Sequence, residues 1–276
     1  MIKRVLTAFT LGLGLTAAAS AFAEVDAERL QAALEDPIRA EDSARDQYRH
    51  PGETLAFLGI RPDMTVVEMA PGGGWYTRIL APYLEDEGHY VAGNYHPDTF
   101  GERAVDALTR WPETWPDQVR AWAPEIGDIT TFTYQTEEPE AFGPNADAAL
   151  YFRAVHGLAS RGRLTEVLGE TYAMLKPGGL VGVVQHRAPA DATDEYANGA
   201  NGYMKQADVI ALFEDAGFEF IEASDVNANP KDPANWETGV WTLPPSLRGP
   251  EELRDEVLAI GESDRMTLKF RKPATD

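Results

Sequence analysis

Residues 65–74 read Thr-Val-Val-Glu-Met-Ala-Pro-Gly-Gly-Gly: a short run of β-branched and apolar residues carrying one acid, Glu68, and leading straight into three consecutive glycines. The run is the right length and composition for a buried strand. Residues 75–84 then follow a helical pattern with Pro82 near its end. A strand, a glycine turn and a helix in that order constrain the chain more than anything else in it. Glycines let the backbone turn tightly and approach a ligand closely, and the helix that follows aims its free N–H groups at the same place. A plain tight turn is the alternative for three glycines. The position after a buried strand and before a helix favours a cradle for a cofactor.

The rest of the chain repeats the alternation. Strands are expected at 90–93, 129–134, 146–152, 180–185, 218–223 and 266–270. Helices are expected at 53–58, 164–175 and 206–216, with the second stopped by Lys176-Pro177-Gly178-Gly179. Residues 25–49 are charged and helical, and Pro37 should divide them into two short helices. Trp111-Pro112 and Trp115-Pro116 predict broken helices within 96–125, because proline removes an intrahelical donor. Strands alternating with helices imply an α/β fold with a mostly parallel sheet. The long polar segment at about 226–262 reads as an insertion before the last strand, either a lid or packing against the sheet edge. Trp111, Trp115 and Trp122 read as core.

The stretch Glu68-Met69-Ala70-Pro71-Gly72-Gly73-Gly74 resembles the cofactor loop of class I S-adenosylmethionine (SAM) dependent methyltransferases. That family has an acid with glycines at the second, fourth and sixth positions after it. Gly72 and Gly74 match, and Ala70 stands at the first. Met174-Leu175-Lys176-Pro177-Gly178-Gly179 is similar to the family's turn into its fifth strand. The resemblance covers roughly residues 60–225 and the final strand. It implies a Rossmann-like fold with a mostly parallel seven-stranded sheet flanked by helices. It also implies a SAM cofactor held by Glu68, Gly72, Gly73 and Gly74. The family's second strand ends in an acid that accepts hydrogen bonds from the ribose; here Asn94 takes that place and lacks the charge. The stretches 71–84, 152–158, 183–189 and 264–273 further resemble a subgroup of exported methyltransferases.

Five histidines occur, at 50, 89, 96, 156 and 186. In open α/β sheets ligands bind outside the carboxyl ends of the strands. His96, His156 and His186 each follow an expected strand, so three imidazoles should share one rim with Arg153 and Arg187. Imidazole accepts protons near neutral pH, and arginine holds a carboxylate or stabilises an enolate. His156 is the expected base, with His186, Arg187 and Arg153 around it. Tyr76, His96 and His50 are expected substrate contacts, and Trp75 also faces the pocket. A cap or a hydrogen-bonded surface residue is the alternative for each histidine alone. No His-x-His or His-x3-His pair occurs, so no metal is assigned; a zinc or copper site is the alternative reading of the trio. Asp264 and Arg265 read as an ion pair at the entry to the last strand.

The amino-terminal end is organised differently. Lys3 and Arg4 precede a small, apolar run over 5–19 and an Ala21-Phe22-Ala23 cleavage signature. This predicts a signal peptide over 1–23, a helical extension over 24–59, a methyltransferase-like domain over 60–276, and a periplasmic or secreted mature chain. The chain has no cysteine, which rules out disulfides and thiolate metal sites. Its net charge of −21, made more negative by loss of Lys3 and Arg4, repels phosphate backbones and anionic lipid. Neither nucleic acid nor, for the mature form, a membrane is an expected partner; a small molecule is. Three functions remain open: SAM-dependent methyl transfer to a small molecule, SAM-independent acid–base chemistry (a lyase or isomerase acting on an aromatic or carboxylated metabolite), and ligand binding without catalysis.

Overall fold

Three β-branched residues followed by Glu68 and Met69 form β1, Thr65–Met69, over the expected span. A computed structural model describes residues 25–123, 129–134 and 145–274; the expected signal peptide lies outside them. The other strands are β2 His89–Asn94, β3 Thr130–Thr133, β4 Ala146–Phe152, β5 Leu175–Ala188, β6 Met204–Lys205, β7 Glu219–Ser224 and β8 Arg265–Arg271. The main sheet runs β3-β2-β1-β4-β5-β8-β7, with β1 to β5 parallel and β8 antiparallel to both neighbours. This is the expected α/β architecture, with the two-residue β6 added beside the end of β5. The strand order reverses between β1 and its neighbour β4, and a crevice opens at such a switch point.

The helices are α1 Ala27–Glu35, α2 Asp46–Arg49, α3 Pro51–Leu58, α4 Thr77–Leu84, α5 Glu102–Trp122, α6 Val155–Ala159, α7 Leu164–Met174, α8 Gln206–Asp215 and α9 Arg254–Ile260. One face of the sheet packs against α1, α3, α4 and α5 through residues such as Leu55, Leu58, Ile79 and Trp115. The other face packs against α7 and α8 through Leu168, Val209 and Phe213. Full burial of each such side chain stabilises the fold by roughly 1.5–3 kcal/mol.

The break expected at Trp111 and Trp115 does not occur: α5 is one 21-residue helix with Pro112 and Pro116 inside it. Pro116 cannot donate to the Pro112 carbonyl four residues earlier. Thr131 Oγ1, on β3, donates to that carbonyl instead, at 2.7 Å. Trp115 is buried, Trp111 stacks on it, and Trp122 meets it edge-on, so the three rings are packing residues.

The segment before β8 makes two kinds of contact. Asn227 bonds the hydroxyls of Thr54 and Thr267, while Asp232 accepts from Tyr203, Trp236 and two backbone amides; these are packing. Val240, Trp241 and residues 244–246 instead lie over the carboxyl edge of the sheet, at the switch point.

Candidate active site

Past the end of β1 the chain turns through Ala70, Gly72 and Gly74, whose φ angles are 54°, 60° and 79°. All three of the family's glycine positions are therefore left-handed, including the one held by alanine. Ala70 N–H donates to the Gly93 carbonyl at 2.7 Å, which ties the turn to β2. A Cβ added at Gly72 or Gly73 would meet nothing within 4 Å. One added at Gly74 would lie 2.6 Å from the Trp122 ring. The loop thus has an open side at Gly72 and Gly73 and a packed side at Gly74.

Glu68 lies beneath this loop and is buried. Its Oε2 accepts from Thr77 Oγ1 and from the Tyr90 hydroxyl, both at 2.7 Å. Burial raises its carboxyl to about 7, although those bonds and nearby Arg153 oppose the rise.

A cavity of about 430 Å³ extends from Gly72 and Gly73 along the ends of β4 and β5. Trp75, Tyr76 and Phe152 form an aromatic wall, with Tyr76 stacked on Phe152 at 3.4 Å between centroids. Arg153, His156 and His186 line it from the sheet; Trp241, Glu262 and Ser263 close it from the other side. The two imidazoles are 5.5 Å apart between centroids.

Gln185 orients His156. Its Nε2 donates to the carbonyls of Gly202 and His186, so Oε1 faces the histidine. Oε1 accepts from His156 Nδ1 at 3.2 Å and from the His156 backbone N–H. The imidazole therefore carries its proton on Nδ1 and keeps the Nε2 lone pair free. Burial lowers His156 to about 4, against the Gln185 bond and with help from Arg153. His186, bonded through Nδ1 to Ser263 Oγ at 2.6 Å, is pushed well below its ordinary value by burial, then by His156 and Arg153. Both rings are neutral at physiological pH.

Arg153 sits at the left-handed φ of 60°, held by its N–H donating to the Val184 carbonyl. Burial, Arg49 and Arg265 pull its guanidinium down to about 9, which leaves it charged at neutral pH.

The structure thus gathers Glu68, Gly72, Gly73, Tyr76, Arg153, His156 and His186 around one cavity. Other expected residues fall outside its lining. Gly74 packs on α5. Asn94 Oδ1 accepts from the adjacent Tyr95 N–H. His96 accepts from Asp98 N–H and caps the short 3-10 turn Pro97–Phe100. His50 is the left-handed joint between α2 and α3. Arg187 is turned away because successive side chains of β5 point to opposite faces. It pairs with Asp264 and Asp225. For the same reason Asp264 and Arg265 do not pair with each other; Arg265 pairs with Glu262.

Sequence reasoning missed the group behind the aromatic wall. Glu262 receives Arg45 Nε at 2.7 Å, Arg49 Nε at 2.9 Å and Arg265 Nη1 at 3.1 Å. Burial pushes the Glu262 carboxyl up, but the three arginines outweigh this and hold it below its ordinary value. Arg49 also lies over the Trp75 ring, 4.6 Å from its centroid. The available signal was Arg45 and Arg49 spaced one helical turn apart before a strand, which reads equally as a solvated helix face. Among the described residues, no group of three or more His, Asp or Glu side chains is placed to hold a metal ion.

No known protein-family profile matches the chain. It is 26% identical over 213 residues to a sterol 24-C-methyltransferase of Neurospora crassa, a match covering 72% of this chain and 50% of that protein. The chain thus spans about half the length of this curated relative. Among solved structures it resembles a SAM-dependent methyltransferase from Aquifex aeolicus, with a TM-score of 0.50, 14% identity, and coverage of 90% of this chain and 100% of that one. It also resembles the [4+2]-cyclase SpnF, with a TM-score of 0.51, 15% identity, and coverage of 87% and 86%. The fold is the Rossmann-like class I methyltransferase fold.

Proposed function

We propose that this chain is a SAM-dependent methyltransferase acting on a small molecule, exported to the periplasm after cleavage near Ala23. One observation carries the reading. The left-handed turn at Ala70, Gly72 and Gly74 leaves an open cradle at Gly72 and Gly73, above a buried acid, at the switch point of the sheet. The cradle fits the amino-acid end of the cofactor. The backbone of Gly72 and Gly73 and the amino end of α4 would hold that end, with Glu68 beneath them. When bound, SAM supplies an electrophilic methyl group. The sterol methyltransferase likeness supports the same reaction class.

The chain's own residues supply the rest. The aromatic wall of the cavity would orient a bound nucleophile and exclude water from it. A substrate O–H or N–H group would have to give up its proton to act as the nucleophile. His156 Nε2, kept unprotonated by burial and by the fixed Nδ1–H, accepts that proton. His186 and Ser263 orient the substrate beside it.

A second reading has a specific observation in its favour. Asn94 provides no carboxylate for a ribose, and its carboxamide oxygen is already bonded to Tyr95 N–H. On that reading the chain performs acid–base chemistry at the two histidines without SAM, as a lyase or isomerase. The likeness to a cyclase shows that this fold is not tied to methyl transfer.

Calorimetric titration of the mature chain with SAM and S-adenosylhomocysteine separates the two. Micromolar binding is expected, and it should be lost in Gly73→Val, whose side chain would fill the cradle. Absence of binding at millimolar cofactor removes the methyltransferase reading and leaves the acid–base one. If a substrate is then found, full turnover by His156→Ala would show that another group takes the proton. Sequencing the amino terminus of protein from the periplasmic fraction tests the export step.

A further inference from the structure

We infer that the cavity selects an aromatic carboxylate, and that Arg153 is the residue that binds its carboxyl group. The inference rests on the methyltransferase reading only for what happens to the substrate afterwards; the recognition argument stands on the cavity itself.

Arg153 differs from the cations around it. Arg78 is paired with Asp42, and Arg45, Arg49 and Arg265 share Glu262. The Arg153 guanidinium lines the cavity with no hydrogen bond or ion pair to any described residue. Its side chain is half-buried in the cavity wall, so the charge is partly withdrawn from water and a bound anion would supply the counter-charge it lacks. Its backbone adds strain, since a left-handed arginine costs on the order of 1–2 kcal/mol. Strain and an unpaired charge at one residue are expected where a ligand completes the environment.

The surroundings favour an anion. Five guanidiniums (Arg45, Arg49, Arg78, Arg153 and Arg265) stand in or behind the cavity wall against the carboxyl groups of Asp42, Glu68 and Glu262. Glu68, raised to about 7, is partly protonated at neutral pH. This positive site belongs to a chain whose net charge is −21, so it is a local feature and not a general surface property. Low-dielectric walls focus such a field onto an entering anion. Planar guanidinium suits a carboxylate in a two-point hydrogen-bonded arrangement. The wall of Trp75, Tyr76, Phe152 and Trp241 suits a flat ring.

The cofactor also carries a carboxylate, so the test must separate the two sources. Binding of 4-hydroxybenzoate, of the uncharged 4-hydroxybenzamide, of S-adenosylhomocysteine and of 5′-methylthioadenosine (which lacks the amino-acid end) is measured by calorimetry. The proteins are the mature chain and its Arg153→Gln and Arg153→Lys variants. A hydrogen-bonded charge pair is worth about 10- to 100-fold in affinity. The wild type should prefer the benzoate over the amide by at least about tenfold. Arg153→Gln should abolish the preference, Arg153→Lys should restore part of it, and S-adenosylhomocysteine binding should be unchanged. Melting temperatures verify that the variants fold; loss of a charge without an ion-pair partner should not lower them.

Three results overturn the inference. The benzoate does not bind or binds no tighter than the amide; its preference survives in Arg153→Gln; or that variant weakens S-adenosylhomocysteine while sparing methylthioadenosine, which assigns the guanidinium to the cofactor. Benzoate binding lost in Arg153→Gln, with no binding of S-adenosylhomocysteine to the wild type, would sustain the inference and sink the methyltransferase reading.

Discussion

Along the carboxyl edge of the sheet, the β4 and β5 side and the β2 side carry similar residue types in different surroundings. Arg153, His156 and His186 end β4 and β5, where Trp241, Glu262 and Ser263 cover them and the imidazoles are driven neutral. Asn94 and His96 end β2, where each spends its side chain on a neighbouring backbone N–H. A histidine after a strand is therefore not enough to make a site. A second layer of chain must remove it from water and leave one of its nitrogens unsatisfied.

The sharpest way to break this comparison is to remove one carboxylate from each side. Glu262 is 5% exposed and is the shared ion-pair partner of three arginines. Glu262→Gln should cost about 3–5 kcal/mol, the usual penalty for leaving buried charges uncompensated. Asp98, 69% exposed beside His96, makes a surface contact worth about 0–1 kcal/mol. Asp98→Asn should lie near zero in the same urea titration. Equal losses would mean that the insertion does not enclose the β4 and β5 side.

How much of this could be read from the chain depended on whether the signal was local. β1 and β4 fall on the expected residues because short β-branched runs leave little choice of period. The glycine loop was legible because strand, turn and helix are contiguous. The unbroken α5 was not, because the bond that replaces the one lost at Pro116 comes from Thr131 on another element. Arg187 was misplaced for a narrower reason. The expected strand stopped at 185, short of the observed end at Ala188, so the alternation that separates it from His186 was not applied. Glu262 and Arg49 are 213 residues apart, and no local pattern joins them.

Acid also distinguishes the groups within the site. The folded-state carboxyl of Glu68 is raised, so the unfolded chain releases this proton first as pH rises from about 4.5 to about 7. Across that window Glu68 costs the fold stability, in total about 3 kcal/mol at 1.4 kcal/mol per pH unit. Glu68→Gln can still accept from Thr77 and Tyr90. Its stability relative to wild type should therefore climb between pH 4.5 and 7 and level off above. The histidines act with the opposite sign: lowered below 6.5, they destabilise the fold as acid protonates the unfolded chain first. A relative stability for Glu68→Gln that is flat with pH would show that Glu68 titrates normally and is reached by water.

A small effect concerns the position where the loop departs from the methyltransferase pattern it resembles. Ala70 adopts φ 54° where glycine would be unstrained. Its N–H bond to the Gly93 carbonyl and the turn at Gly72 leave it no other conformation. Relief of a left-handed alanine is worth about 1–2 kcal/mol. Glycine returns about 0.4–1 kcal/mol of that through the greater freedom of the unfolded chain. The Ala70 methyl also packs partly against the core under β1, and that contact is lost. Ala70→Gly should therefore raise stability by at most about 1 kcal/mol, or roughly 2–4 °C in melting temperature. S-adenosylhomocysteine affinity should be unchanged, because alanine already holds the backbone in the cradle's shape. A clear loss of stability would mean that the methyl contact outweighs the strain, and that alanine stands here for packing.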